Sequence, residues 1–92
     1  MRQIRFSKVY KKSIKKLVKS GAVTLSEVHT VVNMIARVES LPTQYRDHKL
    51  TGELQGYREC HIRPDILLVY MIYKKELVVL LVNVGSHSEL FA

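Results

Sequence analysis

Residues 57–85 read YRECHIRPDILLVYMIYKKELVVLLVNVG, and this stretch decides the fold. Ile66 to Tyr73 is continuously apolar and rich in β-branched and aromatic side chains, and Leu77 to Val84 repeats the pattern. Runs of that length, bounded by turn residues, predict buried strands. Pro64-Asp65 supplies a turn before the first run, Lys74-Lys75 a turn tip between the two, and Gly85 a break after the second. Tyr57 to Arg63 reads as a third strand. Ile66–Tyr73 lacks a polar face, so it is expected at the centre of a sheet covered on both sides. No apolar run approaches the ~18–20 residues of a transmembrane helix.

Upstream, the period changes from two to that of a helix. Arg2 to Phe6 gives a weak edge-strand signal. Ser7 is placed to cap a helix and Gly21 to close it in the left-handed conformation. Between them Tyr10, Ile14, Leu17 and Val18 recur at helical spacing, with lysines on the other face. Thr24 and Glu27 form a capping-box pattern, followed by a second stripe of Val28, Val31, Val32, Ile35 and Val38 that Pro42 ends. Leu41 to Gly56 reads as a loop. The order is strand, two helices, then a three-strand meander. This predicts one α+β domain over residues 1–92, two N-terminal helices packed on a small, mostly antiparallel twisted sheet.

The 92 residues carry a net charge of +7 and a single cysteine, Cys60. That thiol has no internal disulfide partner, and neither an HxH nor an HExxH spacing is present. A reducing cytoplasm is expected, with no metal and no cofactor. Arg2, Arg5, Lys8, Lys11, Lys12, Lys15, Lys16 and Lys19 all precede the first acid, Glu27, so the first 26 residues hold the whole positive excess. An anionic partner follows, nucleic acid foremost; a solvated helix face is the plain alternative.

Four histidines are present, and three fall where side chains reach solvent: His48 in the central loop, His61 in the third-from-last strand, and His87 just after Gly85. His29 lies mid-helix and is read as structural or merely exposed. Strand alternation puts Tyr57, Glu59 and His61 on one face and Arg58, Cys60 and Ile62 on the other. If Cys60 and Ile62 pack under the helices, Glu59 and His61 point away from the core. Arg58 would then share the core-side face in a buried pairing. Asp65 follows at the turn, and the meander is expected to bring His61 near His87. Histidines, carboxylates and cations on an open face suit metal-free RNA cleavage. One group takes the 2′-hydroxyl proton, another protonates the departing 5′-oxygen, and cations stabilise the phosphate.

Three motifs, Tyr45–Gly52 (YRDHKLTG), Gly56–Asp65 (GYRECHIRPD) and Gly85–Phe91 (GSHSELF), occur in that order. Together they resemble the YafQ branch of the RelE-like toxins of bacterial type II toxin–antitoxin systems. The resemblance covers nearly the whole chain. It implies a small cytoplasmic endoribonuclease that cuts mRNA, typically in the ribosomal A site, and is held inactive by a cognate antitoxin from the same operon. It implies functional positions at His48, His61, Asp65, His87 and Phe91, with Glu59 where an aspartate is common. His87 is the implied general acid, and His48 and His61 help activate the 2′-hydroxyl or hold the phosphate. Asp65 would orient a histidine, and Phe91 would stack on a base. Which histidine is the base stays open. Relatives often carry tryptophan where Ile66 stands, which weakens a stacking role there. Arg46, Arg58, Arg63 and Tyr57 are secondary candidates, since other RelE-like branches use arginine, lysine and tyrosine. Lys11, Lys12, Lys15 and Lys16 are expected to dock ribosomal RNA, and no membrane partner is expected. A non-catalytic module that blocks translation by occupancy, and a metal-dependent nuclease, are the competing readings.

Overall fold

The computed structural model describes residues 1–37 and 40–91. Its elements are β1 (Gln3–Phe6), α1 (Lys8–Ser20), α2 (Leu25–Ala36), β2 (His48–Lys49), β3 (Arg58–Arg63), β4 (Ile66–Tyr73), β5 (Val78–Gly85) and α3 (His87–Phe91). Five strands form one sheet in the order β1-β5-β4-β3-β2, parallel between β1 and β5 and antiparallel elsewhere. β4 is therefore the central strand. It is buried on both faces: Leu68 and Tyr70 lie in the main core, while Leu67 (2% exposed) and Val69 (7%) are buried outside that cluster.

Local chemistry explains the helices. The Ser7 hydroxyl accepts the Tyr10 N–H at 2.9 Å and donates to the Val82 carbonyl at 2.6 Å, so one side chain caps α1 and ties it to β5. Gly21 closes the helix at φ 81°, a conformation that a side chain would strain. In α2, the Thr24 hydroxyl accepts the Glu27 N–H at 3.2 Å while Glu27 accepts the Thr24 N–H at 2.9 Å. Tyr10, Ile14 and Leu17 from α1, with Val28, Val31, Val32 and Ile35 from α2, pack on Cys60, Leu68, Tyr70, Val79 and Leu81. Both helices thus cover one sheet face. Val38, the last position of the second stripe, and the terminal Ala92 lie outside the described residues.

The structure corrects the sequence reading in four places. Within the expected loop, His48 and Lys49 form β2, too short to show a period of its own and defined by pairing with Glu59 and Arg58. β3 begins at Arg58 rather than Tyr57. The β4–β5 turn spans residues 74–77, and Leu77, apolar in sequence, sits exposed in it at φ 55°. Gly85 does not break the last strand but ends it, and the segment beyond is α3, capped by Ser86.

Candidate active site

β3 carries Glu59 and His61 two residues apart, so both project from the sheet face opposite the helices, while Cys60 and Ile62 pack toward them. Glu59 is not open to solvent, as the alternation alone suggested. It is 6% exposed, set beside His61 on its own strand and opposite His48 on β2 and Val69 on β4. Its Oε1 lies 3.6 Å from His48 Nε2 and 3.7 Å from His61 Nε2. One carboxylate therefore serves two imidazoles.

The far side of each ring is held by backbone. His48 Nδ1 is 2.6 Å from the Arg46 carbonyl, and His61 Nδ1 is 3.3 Å from the Pro64 carbonyl. A carbonyl only accepts, so each contact places the hydrogen on Nδ1 and leaves Nε2 facing Glu59. Both Nε2 atoms thus lie within 3.7 Å of the same carboxylate oxygen. Arg46, whose carbonyl orients His48, has φ 48° and an exposed side chain. Asp65 is exposed at the β3–β4 turn; it is the carbonyl of its neighbour Pro64 that accepts from His61 Nδ1.

His87 stands on another element, α3, just beyond the end of β5. The register His61↔Leu67↔Gly85 puts the end of β5 one strand beyond His61, ~10 Å away across β4. The expected approach of His61 and His87 thus has an intervening strand. His87 is the first residue of α3, which Ser86 and Glu89 cap reciprocally: the Ser86 N–H donates to Glu89 at 2.8 Å and the Glu89 N–H to Ser86 Oγ at 3.2 Å. The exposed His87 ring rests on Phe91, with centroids 5.2 Å apart and planes at 51°. Gly85 permits this return, since a Cβ there would meet Glu89 Oε1 at 3.1 Å.

Lysines from α1 approach this end of the sheet. All of Lys11, Lys12, Lys15 and Lys16 are exposed. The Glu89 carboxyl is held below its ordinary range, first by the Ser86 N–H, then by the Ser86 hydroxyl, with the Lys16 charge adding to both. The charge of Lys16, far from Glu89 in sequence, is thus felt at α3.

Two secondary candidates have structural partners. Arg63 forks onto Glu27 at 2.7 and 2.8 Å, joining β3 to the start of α2. Arg58 lies on the helix-side face as anticipated, 2.6 Å from Asp47. Asp47 also accepts the hydroxyl of buried Tyr70. This trio fixes the residue just before His48, and its only trace in the amino-acid order is the parity of Arg58. Tyr57 is half-buried and lines a cleft of about 850 Å³ on the helix side with Arg58 and Tyr70, away from the histidines. Ile66 is buried in the main core, so its side chain presents no face to RNA. Among the described residues, no three His, Cys, Asp or Glu side chains come together as a metal-holding group.

Residues 2–92 match the family described as bacterial toxin of type II toxin–antitoxin system, YafQ. The chain belongs to the YafQ family. It is 31% identical to the mRNA interferase toxin YafQ of Escherichia coli K12 over 98% of this chain and 96% of that protein. A match to the putative toxin YafQ of Haemophilus influenzae, 40% identical, spans 54% of this chain and only 45% of that protein. Among solved structures, a metal-bound toxin from Helicobacter pylori is 47% identical, with TM-score 0.93 over 99% of this chain and 100% of that one. YafQ in the E. coli DinJ–YafQ complex is 28% identical, with TM-score 0.84 and full coverage of both chains. These likenesses support the α+β fold and the toxin family read from the three motifs.

Proposed function

We propose that the chain is a toxin endoribonuclease that cleaves mRNA in the ribosomal A site and is neutralised by a cognate antitoxin. The E. coli relatives named mRNA interferase and the DinJ–YafQ complex support the class and the kind of partner. The observation that carries the chemistry is Glu59, buried between the Nε2 atoms of His48 and His61, with the end of β5 that leads to His87 lying across β4.

In this mechanism Nε2 of His48 or His61 takes the 2′-hydroxyl proton, and the Glu59 carboxylate stabilises the imidazolium formed. The 2′-oxygen attacks phosphorus as the bond to the 5′-oxygen breaks. His87 gives the departing oxygen its proton. The products are a 2′,3′-cyclic phosphate and a 5′-hydroxyl, and no metal ion is required for either proton transfer. Asp65 at the turn helps hold the His61 loop, Arg46 meets phosphate, and Phe91 steadies His87 or stacks on a base. Lys11, Lys12, Lys15 and Lys16 hold ribosomal RNA.

His87→Ala tests this reading. Removing one positioned proton donor lowers cleavage by about 10² or more. RNA ends mapped after induction should show new 5′-hydroxyl termini with the native chain and none with the variant, both folded. Translation arrest without new RNA ends in the native chain would instead show inhibition by occupancy. Activity abolished by a chelator and restored by a divalent ion, with ribosomes intact, would show a metal-dependent nuclease.

A further inference from the structure

Asp47 and His48 are consecutive residues that serve opposite sides of the sheet. His48 stands beside Glu59 on the histidine face, while Asp47 turns to the helix side and meets Arg58 of β3 and Tyr70 of β4. Both of its carboxylate oxygens are engaged: Oδ2 accepts from Arg58 Nη2 at 2.6 Å, and Oδ1 accepts from the Tyr70 hydroxyl. Arg58 Nε reaches the same hydroxyl at 3.4 Å, which closes the group. Tyr70 is 2% exposed and lies in the main core, so the anchor belongs to the centre of the sheet. Burial, and then the bond to Asp47, push its hydroxyl above the ordinary range and keep it a donor.

What this group holds is a short edge. β2 is the last strand of the sheet, pairs only through His48 and Lys49, and follows Arg46 at φ 48° and ψ 41°. A side chain in that left-handed region persists where its surroundings over-determine it. The Arg46 carbonyl, adjoining Asp47 in the chain, is the group 2.6 Å from His48 Nδ1. Which nitrogen of a neutral imidazole carries the hydrogen is set by the bond that the other one makes. For stability alone, a charged group of this kind has no advantage over apolar side chains of similar volume. Its use is a single backbone geometry at residues 46–48. We propose that Asp47, clamped by Arg58 and Tyr70, is the positioning residue for His48: it fixes the Arg46 carbonyl that keeps the hydrogen on Nδ1, and so leaves Nε2 as a proton acceptor. The inference rests on the reading above in which His48 works through Nε2, and extends it to three residues on the other side of the sheet.

Asp47→Asn keeps the shape but sets an N–H group against one of the two donors. Tyr70→Phe keeps the ring in the core and removes only the hydroxyl. Each should lower kcat for mRNA cleavage on ribosomes by about 10- to 100-fold with KM near the native value, as a displaced reacting group does. The double variant should fall no further than the worse single one, since both act through one contact. Nitrogen NMR signals of the neutral rings report the tautomer directly. In both variants His48 should move from hydrogen on Nδ1 toward hydrogen on Nε2, while His61, held by the Pro64 carbonyl, should stay as it is. Glu27→Gln, which breaks the Arg63 ion pair, also on β3, should leave rate and rings unchanged. Full activity in both folded variants, or a lost rate with the His48 signals unmoved, would overturn the positioning role. If His48→Ala cleaves as fast as the native chain, the reading of the site fails first and this role with it; the ring signals require no activity and tell the two failures apart.

Discussion

Glu59 is the residue on which the two imidazoles converge, and its burial shapes what it can do. A carboxylate with little access to water has few partners other than His48 and His61, so its charge is directed at their Nε2 atoms. Glu59→Gln keeps the shape and removes the charge. RNA cleavage should fall about 10- to 100-fold, part of what one assisted proton transfer is worth. Stability should hold or rise, because the variant no longer buries a charge. Initial rates and a thermal melt on one preparation check both halves; an unaltered rate would remove Glu59 from the chemistry. Cys60, its neighbour on the core face, behaves oppositely. Burial pushes its thiol well above the ordinary range, so it remains protonated and inert as packing.

Among the elements, the shortest ones position the chemistry. β2 has two residues and α3 has five, and each is set by a specific contact rather than by length. Ser86→Ala removes the hydroxyl that accepts the Glu89 N–H. Losing such a cap costs about 1 kcal/mol, here confined to α3. Cleavage should therefore drop several-fold while the global melting temperature barely moves, as α3 frays and releases His87. Glu27 plays the corresponding part for α2. Hydrogen bonds from Arg63, and then the Thr24 N–H, lower its carboxyl from 4.5 to about 2. A carboxyl lowered on folding contributes stability that is complete above its unfolded value and lost as pH falls through its folded one. The native chain should thus lose this contribution between about pH 4.5 and pH 2. Glu27→Gln should melt lower near neutrality and show a flatter acid limb over that interval. Parallel acid limbs would mean the pair contributes nothing in solution.

For the whole molecule, the charge division in the chain becomes a division in space. The lysines of α1 stand on its exposed side, Lys16 near Glu89 of α3, while the ionisable histidine cluster lies on the other sheet face. In the proposed mode, a ribosome held by α1 would reach the histidines past the end of β5 and α3. Replacing Lys11, Lys12, Lys15 and Lys16 with glutamine should weaken ribosome binding. The dependence on log salt should flatten by about 0.7–0.9 for each phosphate that is no longer neutralised. The fold should persist, since none of the four is buried. A filter-binding series across salt concentrations measures both quantities, and an unchanged slope would reduce the row to a solvated face.

The long elements were legible in the amino-acid order because each carries its own period. Tyr10, Ile14 and Leu17 mark a helix stripe, Ser7 and Gly21 its ends, and Ile66–Tyr73 a strand with no polar face, all of it local information. The three motifs also identified the family, and alternation along β3 separated Cys60 and Ile62 from Glu59 and His61. Tertiary structure decided the rest. Two residues cannot display a period, so β2 exists only because His48 and Lys49 find Glu59 and Arg58 across a loop. Glu59 is buried because strands from three parts of the chain close around it. Asp47 meets Arg58 and Tyr70 through hydrogen bonds spanning 11 and 23 residues, and the Lys16 charge acts on Glu89 from the far end of the chain. Spacing along a chain reports which face a side chain occupies. What stands opposite that face is set by how the layers pack.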